Sequence, residues 1–174
     1  MKDNIDRPSQ ADIFNPRGGR ITNVNSLNLP ILRDLQLSAV RGVLYRNALM
    51  SPHYNINSHS VIYVTRGSAH VQLVDNFGRS AFDGELHEGQ IFVVPQNFAE
   101  FKKAGSQGFF EWIAVMTNDL AVRSPLAGRI SKIRAMPEDV LINAFRISRE
   151  QARCLKNNRE EVSVFTPSLQ GSRD

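Results

Sequence analysis

Ser60-Val61-Ile62-Tyr63-Val64-Thr65-Arg66-Gly67-Ser68-Ala69-His70-Val71-Gln72-Leu73-Val74 reads as two strands and the turn between them. Ser60 to Thr65 is β-branched and aromatic, a composition that suits a pleated, half-buried surface. Arg66-Gly67-Ser68 carries the turn, and Ala69, Val71 and Leu73 then alternate with His70 and Gln72. The same texture extends in both directions, from Leu35 to Thr117. Upstream, Leu35 to Val40 alternates before Gly42, and Val43-Leu44-Tyr45 follows. Downstream, Asp75-Asn76-Phe77-Gly78, Asp83-Gly84 and Glu88-Gly89 read as turns. Ile91 to Val94 is a short apolar run closed by Pro95, and Phe109 to Met116 is the last strong strand. Many short strands at regular spacing, with no βαβ alternation, predict an all-β sandwich or small barrel.

The flanks differ. Residues 1–34 hold Pro8, Pro16, Gly18, Gly19 and Pro30 among many asparagines, and read as an extended arm with turns rather than a regular element. Residues 35–120 are the barrel and 121–165 a short helical extension. Pro137-Glu138-Asp139 places a proline and two carboxylates in a first helical turn, where free N–H groups and the helix dipole favour them. Val140 and Ala144, and Leu141 and Phe145, then pair at i, i+4 as an apolar face. Ser148 and Gln151 fit a capping box for a second helix over 148–157, with Ala152 and Leu155 as its apolar side. Residues 166–174 are expected to be disordered. Expected core positions are Tyr63, Val71, Leu73, Val93 and Trp112.

Composition narrows the function classes. The 174 residues are 41% hydrophobic and 22% charged, with 21 Lys+Arg against 17 Asp+Glu. The excess of basic residues is scattered, without the clustering that nucleic-acid binding requires. No apolar run approaches the ~20 residues of a membrane-spanning helix. Met1-Lys2-Asp3-Asn4 carries no apolar signal segment, and Cys154 is the only cysteine, so no internal disulfide can form.

The segment His53 to Gly67 resembles the first motif of the cupin superfamily, and Gly89 to Asn97 the start of the second. The resemblance implies a jelly-roll barrel. In its metal-binding members, His-x-His and a Glu precede the first motif's Gly, and a further His follows in the second. Counted back from Gly67, those positions fall here on His53, Asn55 and Ser60; counted from Pro95, the last His falls on Glu100 and the motif's Gly on Asn97. One of four ligand types is kept, with Glu100 as a substitute at most. One imidazole with one carboxylate is a poor set for a catalytic divalent ion. His59 cannot stand in, because adjacent strand residues face opposite sides. His53 is therefore read as a polar residue at a strand edge, His70 as outward and His87 as a turn residue. Asp83, Glu85 and Glu88 are read as exposed hairpin carboxylates, and Cys154 as a partly buried thiol. No catalytic, cofactor-binding or metal-binding residue is expected.

A narrower resemblance covers nearly the whole chain. Ala11-Asp12-Ile13-Phe14-Asn15-Pro16-Arg17-Gly18-Gly19-Arg20, Gly42-Val43-Leu44-Tyr45-Arg46-Asn47-Ala48, Phe82-Asp83-Gly84-Glu85-Leu86 and Val93-Val94-Pro95-Gln96-Asn97-Phe98-Ala99 are similar to the basic chain of legumin-type (11S) seed storage globulins. Ser124 to Gly128, Ala135 to Glu138 and Val162 to Phe165 continue the similarity. It implies a non-catalytic nitrogen reserve, an acidic partner chain cut from the same precursor, trimers and hexamers, and storage vacuoles reached through a signal peptide elsewhere in the precursor. It also implies contact between subunits through the helical extension. The family's basic chain usually opens on a Gly-Leu-Glu-Glu-type segment with a bridging cysteine, and Met1-Lys2 starts past that point. Two readings remain: a reserve protein, and a metal-dependent enzyme or small-ligand binder built on the same barrel.

Overall fold

A computed structural model describes residues 5–167. Two antiparallel sheets face each other. One runs β1 (Ile13–Asn15), β2 (Gly19–Val24), β3 (Ser38–Leu44), β10 (Phe110–Met116), β5 (Ser60–Arg66) and β8 (Ile91–Val94), in that spatial order. The other runs β11 (Arg123–Pro125), β4 (Leu49–Asn55), β9 (Ala99–Ala104), β6 (Ser68–Val74) and β7 (Ser80–His87), with β12 (Val164–Phe165) also paired to β4. The quoted stretch is β5 and β6. Ser60, Ile62 and Val64 face the core from β5, and Ala69, Val71 and Leu73 from β6. Gly67 makes the corner at φ +75°, and a Cβ there would lie 1.9 Å from the Phe109 carbonyl oxygen. Only glycine fits both the dihedral and the space.

Between the sheets, Phe110 stacks on Trp112 with ring centroids 5.2 Å apart. Trp112 lies directly against the backbone of β3, since a Cβ on Gly42 would sit 2.1 Å from its ring. Ile21, Leu44, Met50, Ile62, Val64, Val71 and Val94 close around this pair. Val71, Leu73 and Trp112 are core residues as expected. Tyr63 and Val93 are not: both are about half exposed, on the outer face of the first sheet, where Tyr63 alternates with the inward Ile62 and Val64.

Several other expectations change. Residues 13–24, read as an arm without regular elements, form β1 and β2. Ile21 and Val24 are buried in β2, whose burial does not alternate, and the segment's many turn residues mask it in the sequence. Asp83-Gly84 is not a turn but mid-strand in β7, with Gly84 opposite Val71. A four-residue helix, α1 (Leu32–Leu35), precedes β3 and ends at Gln36 in the left-handed conformation.

Beyond β11 come α2 (Lys132–Ala135), α3 (Glu138–Phe145) and α4 (Arg149–Asn157). The capping box at α4 is present. Ser148 Oγ accepts from the Gln151 N–H at 3.1 Å, and Gln151 Oε1 from the Ser148 N–H at 2.8 Å. Arg149 and Arg153 of α4 both reach Glu138 of α3, each at 3.1 Å. Leu141 and Ala152 are buried. Val140, Phe145 and Leu155, assigned to apolar faces, stay substantially exposed, and so does Cys154, which is not the partly buried thiol expected. Of residues 166–174, expected to be disordered, 168–174 lie outside the described residues. No described helix is long and apolar enough to cross a membrane.

Candidate functional site

The polar residues of the barrel interior come chiefly from β4 and β9. In β4, Met50 is paired with Lys102 and His53 with Glu100, so three steps on β4 meet two on β9. The extra residue reverses the inward parity between Met50 and His53. Met50, His53 and Asn55 therefore all point inward, and Pro52 points out. His53 is 2% exposed and lies inside the barrel, not at a strand edge. Asn55, Ser60 and Glu100 are buried with it, so the four positions counted from the two glycine- and proline-anchored motifs do converge.

Strand β9 inverts the usual pattern. Glu100 and Lys102 share the inward parity with Ala104, while Lys103 is exposed and Phe101 leans over His70 on the outer face. Lys102 is 1% exposed and meets Glu100 Oε2 at 2.5 Å. Its ammonium also sits 5.5 Å from the Trp112 ring centroid, so the aromatic face helps to hold the cation. The other oxygen, Oε1, is 3.2 Å from His53 Nε2, and His53 Nδ1 is 2.8 Å from the Ser51 carbonyl oxygen. A carbonyl only accepts, so the ring proton belongs on Nδ1; Nε2 would become a donor only on protonation. A second cation, Arg123 of β11, enters beside Asn55.

Burial alone would raise the Glu100 pKa, but the Lys102 charge and His53 outweigh it and hold the carboxyl far below the usual range. Burial pushes the His53 pKa down; Glu100 pulls it back up only in part, and Arg123 and Lys102 add to the lowering. Burial also depresses Lys102 and Arg123, with Glu100 opposing in each case. The interior thus carries one anion against two cations.

The other candidate residues stay apart from this cluster. His70 is exposed and 2.9 Å from Asp83 Oδ1; His87 is exposed 3.6 Å from Glu85 Oε2. His59 is exposed while Ser60 is buried, as strand alternation requires. Lys102 and Arg123 escaped the reading of the sequence. The spacing of Glu100 and Lys102, two residues apart on a strand, was the available signal.

The cupin family model matches residues 3–153. The chain belongs to the cupin family. Within it, the chain groups with the 11S globulins. It is 56% identical to the 11S globulin subunit beta of Cucurbita maxima, over 100% of this chain and 36% of that protein. It is 57% identical to the seed storage protein Ana o 2.0101 of Anacardium occidentale, over 94% of this chain and 36% of that protein. The structure of recombinant pro-11S globulin of pumpkin superposes with a TM-score of 0.92 at 57% identity, covering 95% of this chain and 43% of that one. This cupin thus spans about a third of the length of the curated relatives it matches.

The metal positions of such barrels are here His53, Asn55, Ser60 and Glu100, and they do not fit an ion. One Glu100 oxygen is committed to Lys102, and the other faces His53 Nε2 at 3.2 Å. The free space among these side chains is about 10 Å³, at most one water. A divalent cation would also face Lys102 and Arg123. No group of three or more His, Cys, Asp or Glu able to hold a metal occurs among the described residues.

Proposed function

We propose that this cupin is a non-catalytic seed storage protein, the basic half of an 11S-type precursor, packed as trimers and hexamers in a protein storage vacuole. The observation that carries the reading is the Glu100–Lys102 pair. The Lys102 ammonium is buried beside the motif positions His53, Asn55, Ser60 and Glu100 and is paired with Glu100, so the barrel's centre is spent on structure. The similarity to seed storage globulins along the whole chain supports the same reading.

The partner in this proposal is a second barrel, the acidic chain of the same precursor. Val61 and Tyr63 of β5, Ile91 and Val93 of β8, and Val115 of β10 lie on adjoining strands and expose their side chains on one outer face. A patch of this kind marks a contact surface. The relatives' extra length supplies an occupant. Elemental analysis after chelator dialysis tests the non-catalytic reading. The expected result is no stoichiometric transition metal; about one Mn, Fe, Ni or Zn retained per chain would overturn it.

A further inference from the structure

Phe77 sits at the tip of the β6–β7 hairpin and is 82% exposed, more than any other large apolar side chain among the described residues. Residues 76–81 are all exposed around it. A Cβ on Gly78 would meet nothing within 4 Å beyond its chain neighbours, so the Phe77–Gly78 bond lies open to a large molecule. The tip is nonetheless tightly held. The Asp75 carboxylate accepts from the Phe77 N–H at 2.8 Å, the Arg79 N–H at 2.9 Å and Arg79 Nε at 2.8 Å. The same guanidinium lies 5.1 Å from the centre of the Phe77 ring. Gly78 has φ +77°, so the chain beside the bond is curled rather than extended. Hydrogen bonds, that from the Arg79 N–H first, hold the Asp75 carboxyl below its ordinary pKa, and the clamp stays charged in mildly acid solution.

We propose that the Phe77–Gly78 peptide bond is an entry site for an endoprotease that prefers aromatic residues, with Asp75 setting how fast it is cut. Water adds across the bond and leaves a carboxylate on Phe77 and an amino group on Gly78. Exposed loop tips are preferred places for such nicking. The enzyme takes its substrate as an extended segment, so the curled tip must open first, and the rate follows the open fraction. The cut also has a consequence for the fold. β7 is the edge of its sheet, paired with β6, and it begins just past the tip at Ser80. Freed at that end, it can fray from the edge and uncover Phe82, which packs on Phe92 with ring centroids 4.9 Å apart, and then the buried Leu86. A slow first cut that opens the barrel from an edge suits a reserve protein, a purpose that rests on the storage reading.

The probe is chymotrypsin, whose hydrophobic slot takes aromatic side chains. It is applied to the assembled protein that carries this chain, and the fragments are identified by mass and N-terminal sequencing. The first cut within residues 5–167 is expected after Phe77. Asp75→Ala should speed that cut at least tenfold and leave the rate after Phe145, on α3, unchanged. Phe77→Ser should abolish it. A first cut elsewhere, an unaltered rate in Asp75→Ala, or an equal acceleration after Phe145 would each overturn the proposal. If Asp75→Ala fails to assemble, the position of the first cut in the unaltered protein and its loss in Phe77→Ser decide. None of these outcomes bears on the storage reading, which stands or falls on the metal content.

Discussion

Lys102 is held inside the barrel by one carboxylate and one aromatic face, and its removal leaves Glu100 charged, buried and half unpaired. Lys102→Met should therefore cost about 3–5 kcal/mol, the range for breaking a buried pair at one end. Glu100→Gln combined with Lys102→Met should cost less than the single change, because no uncompensated charge remains. Urea unfolding of the assembled protein reads both; a single change costing under about 1 kcal/mol would mean the pair does not hold the barrel. His53 adds a pH dependence. Its folded pKa lies below the 6.5 of a free imidazole. Above about pH 6.5 its contribution is complete. As pH falls further the unfolded chain takes up a proton that the buried ring resists, and stability drops by at most about 1.4 kcal/mol per pH unit. Glu100, whose folded pKa lies below its ordinary 4.5, contributes fully above about pH 4.5 and loses that contribution in more acid solution. Urea midpoints between pH 7 and 5 should slope less in His53→Gln than in the unaltered protein, and parallel curves would refute the assignment.

At the scale of elements, α3 and α4 cover little of their own apolar surface. Leu141 and Ala152 are buried between them and their surroundings, whereas Phe145 remains 54% exposed. Helices of eight and nine residues are marginal alone in water, and their stability comes from packing. Exposed Val140, Phe145 and Leu155 then mark a face that a neighbouring subunit would cover. Phe145→Ser should shift sedimentation of the assembled protein toward smaller species while far-ultraviolet circular dichroism stays unchanged. Unaltered sedimentation would remove the helices from the subunit contact. The two arginines on Glu138 tie α4 to α3, although exposed pairs of this kind add little to stability.

For the whole molecule, the outer patch of Val61, Tyr63, Ile91, Val93 and Val115 and the exposed helical residues are surfaces left open on this chain. Its net charge of +4 gives modest repulsion, weakened by salt. Produced alone, the chain should associate at micromolar concentration in physiological salt, and co-production with an acidic partner barrel should keep it dispersed. Light scattering checks this: a stable monomer alone would mean that the partner surface proposed above does not exist.

The sequence by itself determined the barrel, its turn at Gly67 and the capping box at Ser148, because each rests on local periodicity or a residue's own backbone preference; the four motif positions came from the resemblance to the cupin motifs. It also placed Trp112, Val71 and Leu73 in the core. Tertiary structure alone decided what the motif positions do. The extra residue in β4 turns His53 inward, a change that only pairing with β9 reveals, since alternation along β4 gives no warning of a shifted register. Lys102 and Arg123 look like surface cations in one dimension, and Tyr63 and Val93 look like core. Their sides were settled by which face of each sheet met the other, and burying a charge became tolerable only where Glu100, brought to Lys102 by strand β9 and to His53 by strand β4, stood ready to compensate.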